Sequence, residues 1–142
     1  MNKTQLLNTI KYLITKLPKN TNWVLEGSAN LKIQGLNTKV NDIDISTNNQ
    51  GFNNFKSALN EFLIKEYFSE KTNAKTLLFK INNIEIEVLF YQDQNINYLE
   101  NKIIKQINNL QIPLISLDKL KQFYQNINRE EKVLMIEKHI NQ

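Results

Sequence analysis

Trp23-Val24-Leu25-Glu26-Gly27-Ser28 and, after a spacer, Asp42-Ile43-Asp44-Ile45 form the stretch on which the reading of this chain turns. The apolar run ahead of Gly27 has the make-up of a short strand, and the small pair after it allows a tight turn into a helix. Backbone N–H groups at such a turn are free to hold anionic phosphate oxygens. Downstream, side chains alternate across a strand, so Asp42 and Asp44 project from one face while Ile43 and Ile45 bury on the other. Two carboxylates that close repel each other, and a raised pKa or a bound cation relieves them. With hard oxygen ligands and no His or Cys nearby, Mg2+ or Mn2+ is the expected cation. Taken singly, each half has a plainer reading: a strand-to-helix turn with Ser28 as its cap, and two exposed aspartates at a strand edge. Their coincidence in one apolar frame points to a phosphate cradle beside a metal-binding strand.

The chain of 142 residues can bury a core without staples. No repeat, linker or low-complexity tail divides it, so residues 1–142 are expected to form one α+β domain. The absence of cysteine removes disulfides and thiolate metal sites and fits a reducing cytoplasm. Met1 to Pro18 carries no apolar run long enough for a signal peptide or a membrane span. A cytoplasmic protein with no membrane partner is expected. The formal charge of +4 leans basic, yet the lysines are scattered and form no block. A nucleic-acid partner is therefore not favoured over solvated lysine faces.

Apolar residues Leu6, Leu7, Ile10, Leu13, Ile14 and Leu17 recur at helical spacing up to Pro18, which predicts an amphipathic first helix. Trp23 to Glu26 reads as a strand, and Ser28 as the cap of a helix through about Ile33 that Gly35 closes. Asp42 to Ser46 has strand period. Asn48 to Gly51 reads as a turn before a helix from Phe52 to Phe62. Two alternating runs, Leu77 to Ile81 and Ile84 to Val88, flank Asn82-Asn83; asparagine tolerates the positive φ of a two-residue hairpin turn, so a β-hairpin is expected. Ile103 to Ile107 and Leu110 to Ile115 suggest another pair around Asn108-Asn109. Ser116 caps a helix to about Gln125, and Asn128 with Glu131 resembles a capping box for a last one.

A third acid would complete a site for two metal ions. Glu85 and Glu87 both point away from the Ile84, Ile86 and Val88 face, and period alone does not choose between them. Arg129 is the only arginine, and its planar fork suits phosphate, although pairing with Glu130 or Glu131 is the simpler reading. His139, beside Ile136 and Ile140, reads as packing or surface. Trp23 and the phenylalanines read as core.

Together these residues resemble the nucleotidyltransferase superfamily that includes DNA polymerase beta and the antibiotic adenylyltransferases. The pattern is an apolar residue, Gly27-Ser28, a spacer, Asp42-Ile43-Asp44-Ile45 and a later acid in an apolar hairpin strand. Within the superfamily the chain is similar to small stand-alone lincosamide and aminoglycoside nucleotidyltransferases. Ile112 to Leu117 and Tyr124 to Lys132 resemble that group's C-terminal helices. In this register the third acid falls on Glu87.

The resemblance implies a mixed sheet flanked by helices that binds a nucleoside triphosphate with Mg2+ or Mn2+. Gly27 and Ser28 would hold the triphosphate, Asp42 and Asp44 would bridge the metals, and Glu87 would complete the catalytic-metal site and assist deprotonation of an acceptor hydroxyl. Asp42, Asp44 and Glu87 are thus the expected catalytic and metal residues. The implied reaction transfers a nucleoside monophosphate to a small-molecule or protein hydroxyl and releases pyrophosphate. Ala29 and Asn30 stand where small antitoxin-type members carry arginine, which leaves Lys32 as the nearest cation; Arg129 is the second candidate for nucleotide contact. Glu26 adds a negative charge beside the expected phosphate site. The alternative is a non-catalytic module of the same fold, antitoxin-like or regulatory, that binds a protein or RNA partner.

Overall fold

Asn2 opens the first helix of the computed structural model, which describes residues 1–142. Its side chain accepts from the Gln5 N–H while the Gln5 side chain accepts from the Asn2 N–H, so α1 (Lys3–Lys16) begins with a reciprocal cap. Strand β1 (Trp23–Glu26) leads directly into α2 (Gly27–Ile33). Gly35, in the left-handed region at φ +98, ends that helix; the Leu36 N–H bonds to Leu31 O and the Gly35 N–H to Lys32 O. Strand β2 (Ile43–Thr47) is followed by α3 (Asn49–Ala58), which Asn48 caps by accepting from the Gly51 N–H.

Three strands then meander: β3 (Leu63–Ser69), β4 (Ala74–Ile81) and β5 (Ile84–Tyr91). Asn82 and Asn83 turn the second hairpin at φ 52 and 65. Strands β6 (Ile103–Ile107) and β7 (Leu110–Leu114) form another hairpin on Asn108 and Asn109, at φ 50 and 68. Ser116 accepts from the Lys119 N–H to cap α4 (Leu117–Asn126), and α5 (Glu130–Ile140) completes the chain.

The seven strands lie in the order β3-β4-β5-β2-β1-β7-β6. The β2–β5 and β1–β7 pairs are parallel, and the other pairs are antiparallel. One face of this mixed sheet packs on α1 and α3, where Leu25, Ile43, Ile45, Phe79, Ile86 and Val88 meet Leu6, Ile10, Phe52 and Phe55. The other face carries a smaller core, in which Val24 packs with Leu31, Leu36, Ile115, Leu120, Tyr124 and Ile136. The result is the α+β architecture, a mixed sheet flanked by helices, that the sequence implied. No helix is long and apolar enough to cross a membrane.

Local expectations are corrected at three places. The helix expected from Phe52 to Phe62 starts earlier and stops at Ala58; a 3-10 turn (Asn60–Phe62) then delivers β3, a strand the pattern did not predict. In β3 the residues run apolar, apolar, charged, charged, apolar, apolar, with a bulge between Leu63 and Lys65, so no alternation is visible. Ser28 is not a cap: α2 starts at Gly27, and Glu26 takes the cap position without a side-chain bond. The Asn128–Glu131 capping box does not form, because Asn128 adopts φ 60 and Arg129 takes the cap position, where its side chain makes no capping bond to a backbone N–H.

Gly51 is fixed by contact. A Cβ there would lie 1.8 Å from Thr47 Oγ1 and 3.0 Å from Asn22 O, the carbonyl to which Thr47 itself donates at 2.6 Å. Gly51→Ala is expected to cost about 1–3 kcal/mol in urea unfolding. An unchanged midpoint would mean that Thr47 swings aside freely.

Candidate active site

Strand pairing aligns three carboxylates. Glu26 on β1 stands opposite Asp44 on β2, and Asp44 stands opposite Glu87 on β5. Directly opposed residues share a face, so the three form a row across adjacent strands spaced about 4.8 Å apart. Their sequence neighbours Leu25, Ile43, Ile45 and Ile86 are wholly buried on the α1 and α3 side, which leaves the acids on the side of α4 and α5. Asp42 lies just before β2, and its negative charge acts on both Asp44 and Glu87.

The row forms part of the floor of a cavity of about 390 Å³, with Gly27 and Ser28 beside it and Tyr98, Phe123 and Tyr124 among its walls. Gly27 has φ 67, and a Cβ there would come within 3.0 Å of Asp44 Oδ2, so glycine is what allows the turn to approach the carboxylate. Buried Asn30 anchors the helix that follows: its Nδ2 donates to Leu25 O at 2.6 Å and to Ile115 O at 3.1 Å. Gln34 Nε2 also donates to Ile115 O, at 2.9 Å. The wall is an edge-on aromatic series, with ring centroids 5.5 Å apart for Tyr91–Tyr98 and 5.9 Å apart for Tyr98–Phe123.

Burial and mutual repulsion raise the acids. Burial, then the Glu26, Asp42 and Glu87 charges, push Asp44 up to about 8. Burial lifts Glu26 to about 7, with Glu87 adding to the rise, while a hydrogen bond from Tyr91 opposes it. That phenol donates to Glu26 Oε1 at 3.0 Å and lies 3.3 Å from Oε2. Glu87 is also raised, by burial first and then by Asp42 and Glu85; the Tyr67 phenol and Lys65 act the other way. None of the molecule's three ion pairs involves any of these acids.

The residues singled out from sequence fall in different places. Gly27, Ser28, Asp44, Glu87 and Arg129 line the one cavity, whereas Asp42 lies next to its lining and Glu85 is exposed outside it. Lys32 is not in the cavity; its Nζ reaches Thr38 O at 3.4 Å. Arg129 Nε pairs with Glu131 at the cavity edge. His139 packs near Gly35, away from the acids. Residues missed by the sequence reading are Tyr91, Asn30, Lys39 and Lys132. Tyr91 had a signal, since it follows Glu87 by two strand repeats and so shares its face. Lys39 also had one, because it closely precedes Asp42.

Divalent-ion chemistry fits these residues by donor type: hard carboxylate oxygens, mutually repelling and without a cation partner. No three of the carboxylates already surround a common point.

A mixed sheet with acids on its central strands beside a Gly-Ser turn defines a nucleotidyltransferase fold, and solved structures share it. A candidate nucleotidyltransferase of Thermotoga maritima is 25% identical with a TM-score of 0.78, over 99% of this chain and 96% of that one. ANT(2'')-Ia in complex with adenylyl-2''-tobramycin is 10% identical with a TM-score of 0.61, over 97% and 90% of the two chains. The lincosamide antibiotic adenylyltransferase LnuA, bound to lincomycin, is 12% identical with a TM-score of 0.63, over 94% and 95%. No curated protein matches in sequence. The chain belongs to the aminoglycoside-2''-adenylyltransferase family, whose profile matches residues 9–137. It is a nucleotidyltransferase.

The raised acids set a pH dependence. Folded Glu26 and Asp44 keep protons that the unfolded chain releases near pH 4, so their contribution to stability is full below about pH 4 and is lost as pH rises through about 7 to 8. In metal-free buffer the melting temperature is expected to fall between about pH 5 and pH 8, and Glu26→Gln to flatten that fall. A variant profile parallel to wild type would refute the assignment for Glu26.

Proposed function

We propose that this enzyme transfers a nucleoside monophosphate from a nucleoside triphosphate to a hydroxyl of a small molecule and releases pyrophosphate. The observation that carries the reading is the register of Asp44 against Glu87 across β2 and β5, in the same cavity as Gly27 and Ser28. The small-molecule acceptors in the ANT(2'')-Ia and LnuA structures support an acceptor of that size. The open cavity favours catalysis over a non-catalytic binding module.

Asp42, Asp44 and Glu87 would hold Mg2+ or Mn2+, which when bound neutralises phosphate charge and makes the α-phosphorus more electrophilic. The backbone at Gly27 and Ser28 receives the phosphate tail and sets the direction in which pyrophosphate leaves. In-line displacement then puts the acceptor on the opposite side of Asp44, next to Glu87. Glu87 accepts the hydroxyl proton as the acceptor oxygen bonds to the α-phosphorus and the bond to pyrophosphate breaks. The protein contributes position and charge rather than a nucleophile.

Calorimetric titration of ATP, GTP, CTP and UTP with magnesium is expected to give heat with at least one of them, and Asp44→Asn is expected to weaken that binding at least about tenfold, the loss of a charge-assisted contact. Gly27→Ala should act in the same direction through its approach to Asp44. Silence with all four nucleotides would sink the proposal.

A further inference from the structure

The cavity that holds the acids is also lined by basic side chains. Lys39, on the loop between α2 and β2, and Lys132, in the first turn of α5, line the same cavity as Gly27, Ser28 and Asp44. They come from distant parts of the chain but are brought together by one contact: Lys132 Nζ lies 3.4 Å from Oγ1 of Thr38, the residue before Lys39. The molecule's three ion pairs involve neither lysine. Arg129 lines the same cavity and uses Nε on Glu131, so its terminal guanidinium nitrogens stay available.

Lysines and carboxylates that line one small cavity would be expected to pair directly, and here they do not. A polyanion with bound divalent ions satisfies both at once, because its phosphates meet the lysines and its ions meet the acids. The Gly27–Ser28 turn is poorly equipped to hold such a polyanion alone. Helix α2 has only seven residues, no cation in its first turn, and Glu26 immediately before it.

We propose that Lys39 and Lys132 grip the β- and γ-phosphates of the donor nucleotide together with the Gly27–Ser28 turn, so that the C-terminal helix α5 serves the donor and not the acceptor. This assignment rests on the nucleotidyltransferase reading above and gives it its missing positive charge. Lys132 exchanges its long contact with Thr38 for a phosphate oxygen, and Lys39 moves with the same loop. The acceptor is then left the Glu87 side of the cavity.

The test compares nucleoside triphosphate with nucleoside monophosphate binding by calorimetry in magnesium. Lys39→Gln and Lys132→Gln are each expected to weaken triphosphate binding about 10- to 100-fold, as loss of a charge-assisted hydrogen bond does, while monophosphate binding stays within about twofold. Lys132→Arg should retain most of the affinity, and Lys19→Gln, far from the cavity, should match wild type. Melting curves establish that each variant is folded. If wild type binds triphosphate and both glutamine variants bind it equally well, the lysine assignment is overturned while the reaction stands. Equal losses for monophosphate and triphosphate also overturn it, since the lysines would then act on the shared part of the ligand. Absence of any triphosphate binding by wild type removes both.

Discussion

Ile43 and Ile45 are the residues on which the site depends. Both are wholly buried under α1 and α3, and burial of each side chain is worth about 1.5–3 kcal/mol. Because strand side chains alternate, this burial forces Asp44 to the opposite face. A one-residue slip of β2 would put Asp44 into the main core and an isoleucine into the cavity. The hydrophobic pattern therefore fixes the carboxylate register, and the neighbouring strands follow it with Leu25 flanking Glu26 and Ile86 flanking Glu87. Attraction among the acids plays no part, since they repel one another.

That repulsion is held in place by the rest of the sheet. The acids rise above their usual range, and the one hydrogen bond Glu26 receives comes from Tyr91, a phenol that burial and the adjacent carboxylate keep protonated. Any ligand that brings positive charge to the floor relieves this strain at the moment of binding. Gathering mutually repelling acids on one face costs stability, as is common where local rules are broken in a fold.

Much of this was legible in the sequence because strong local rules applied. The Asn82-Asn83 and Asn108-Asn109 turns are two-residue hairpins with positive φ at each asparagine. The alternation of Ile43, Asp44 and Ile45 gave β2 and its faces. What escaped detection lacked a local signal. Strand β3 is an edge with Ile64 and Phe68 largely exposed, so its order comes from pairing with β4 and not from its own pattern. Lys32 looked like the nearest cation because it is nearest in sequence. On a helix its direction is set by the turn, and that turn aims it at Thr38 O, while α5 brings Lys132 back across the fold to the cavity.

The two faces of the sheet are unequal, and the cavity follows from that. The α1 and α3 face anchors a core of 21 buried residues, the α4 and α5 face one of only seven. A second face packed as densely as the first would leave no space above Asp44. Packing and side-chain amides both join the lighter cover to β1. Asn30 Nδ2 donates both to Leu25 O, beside Glu26, and to Ile115 O, at the entrance to α4. The same amide therefore links the strand end beneath the acids to the start of the helix that carries Phe123 and Tyr124, so the smaller core is anchored to β1 by hydrogen bonds as well as by packing.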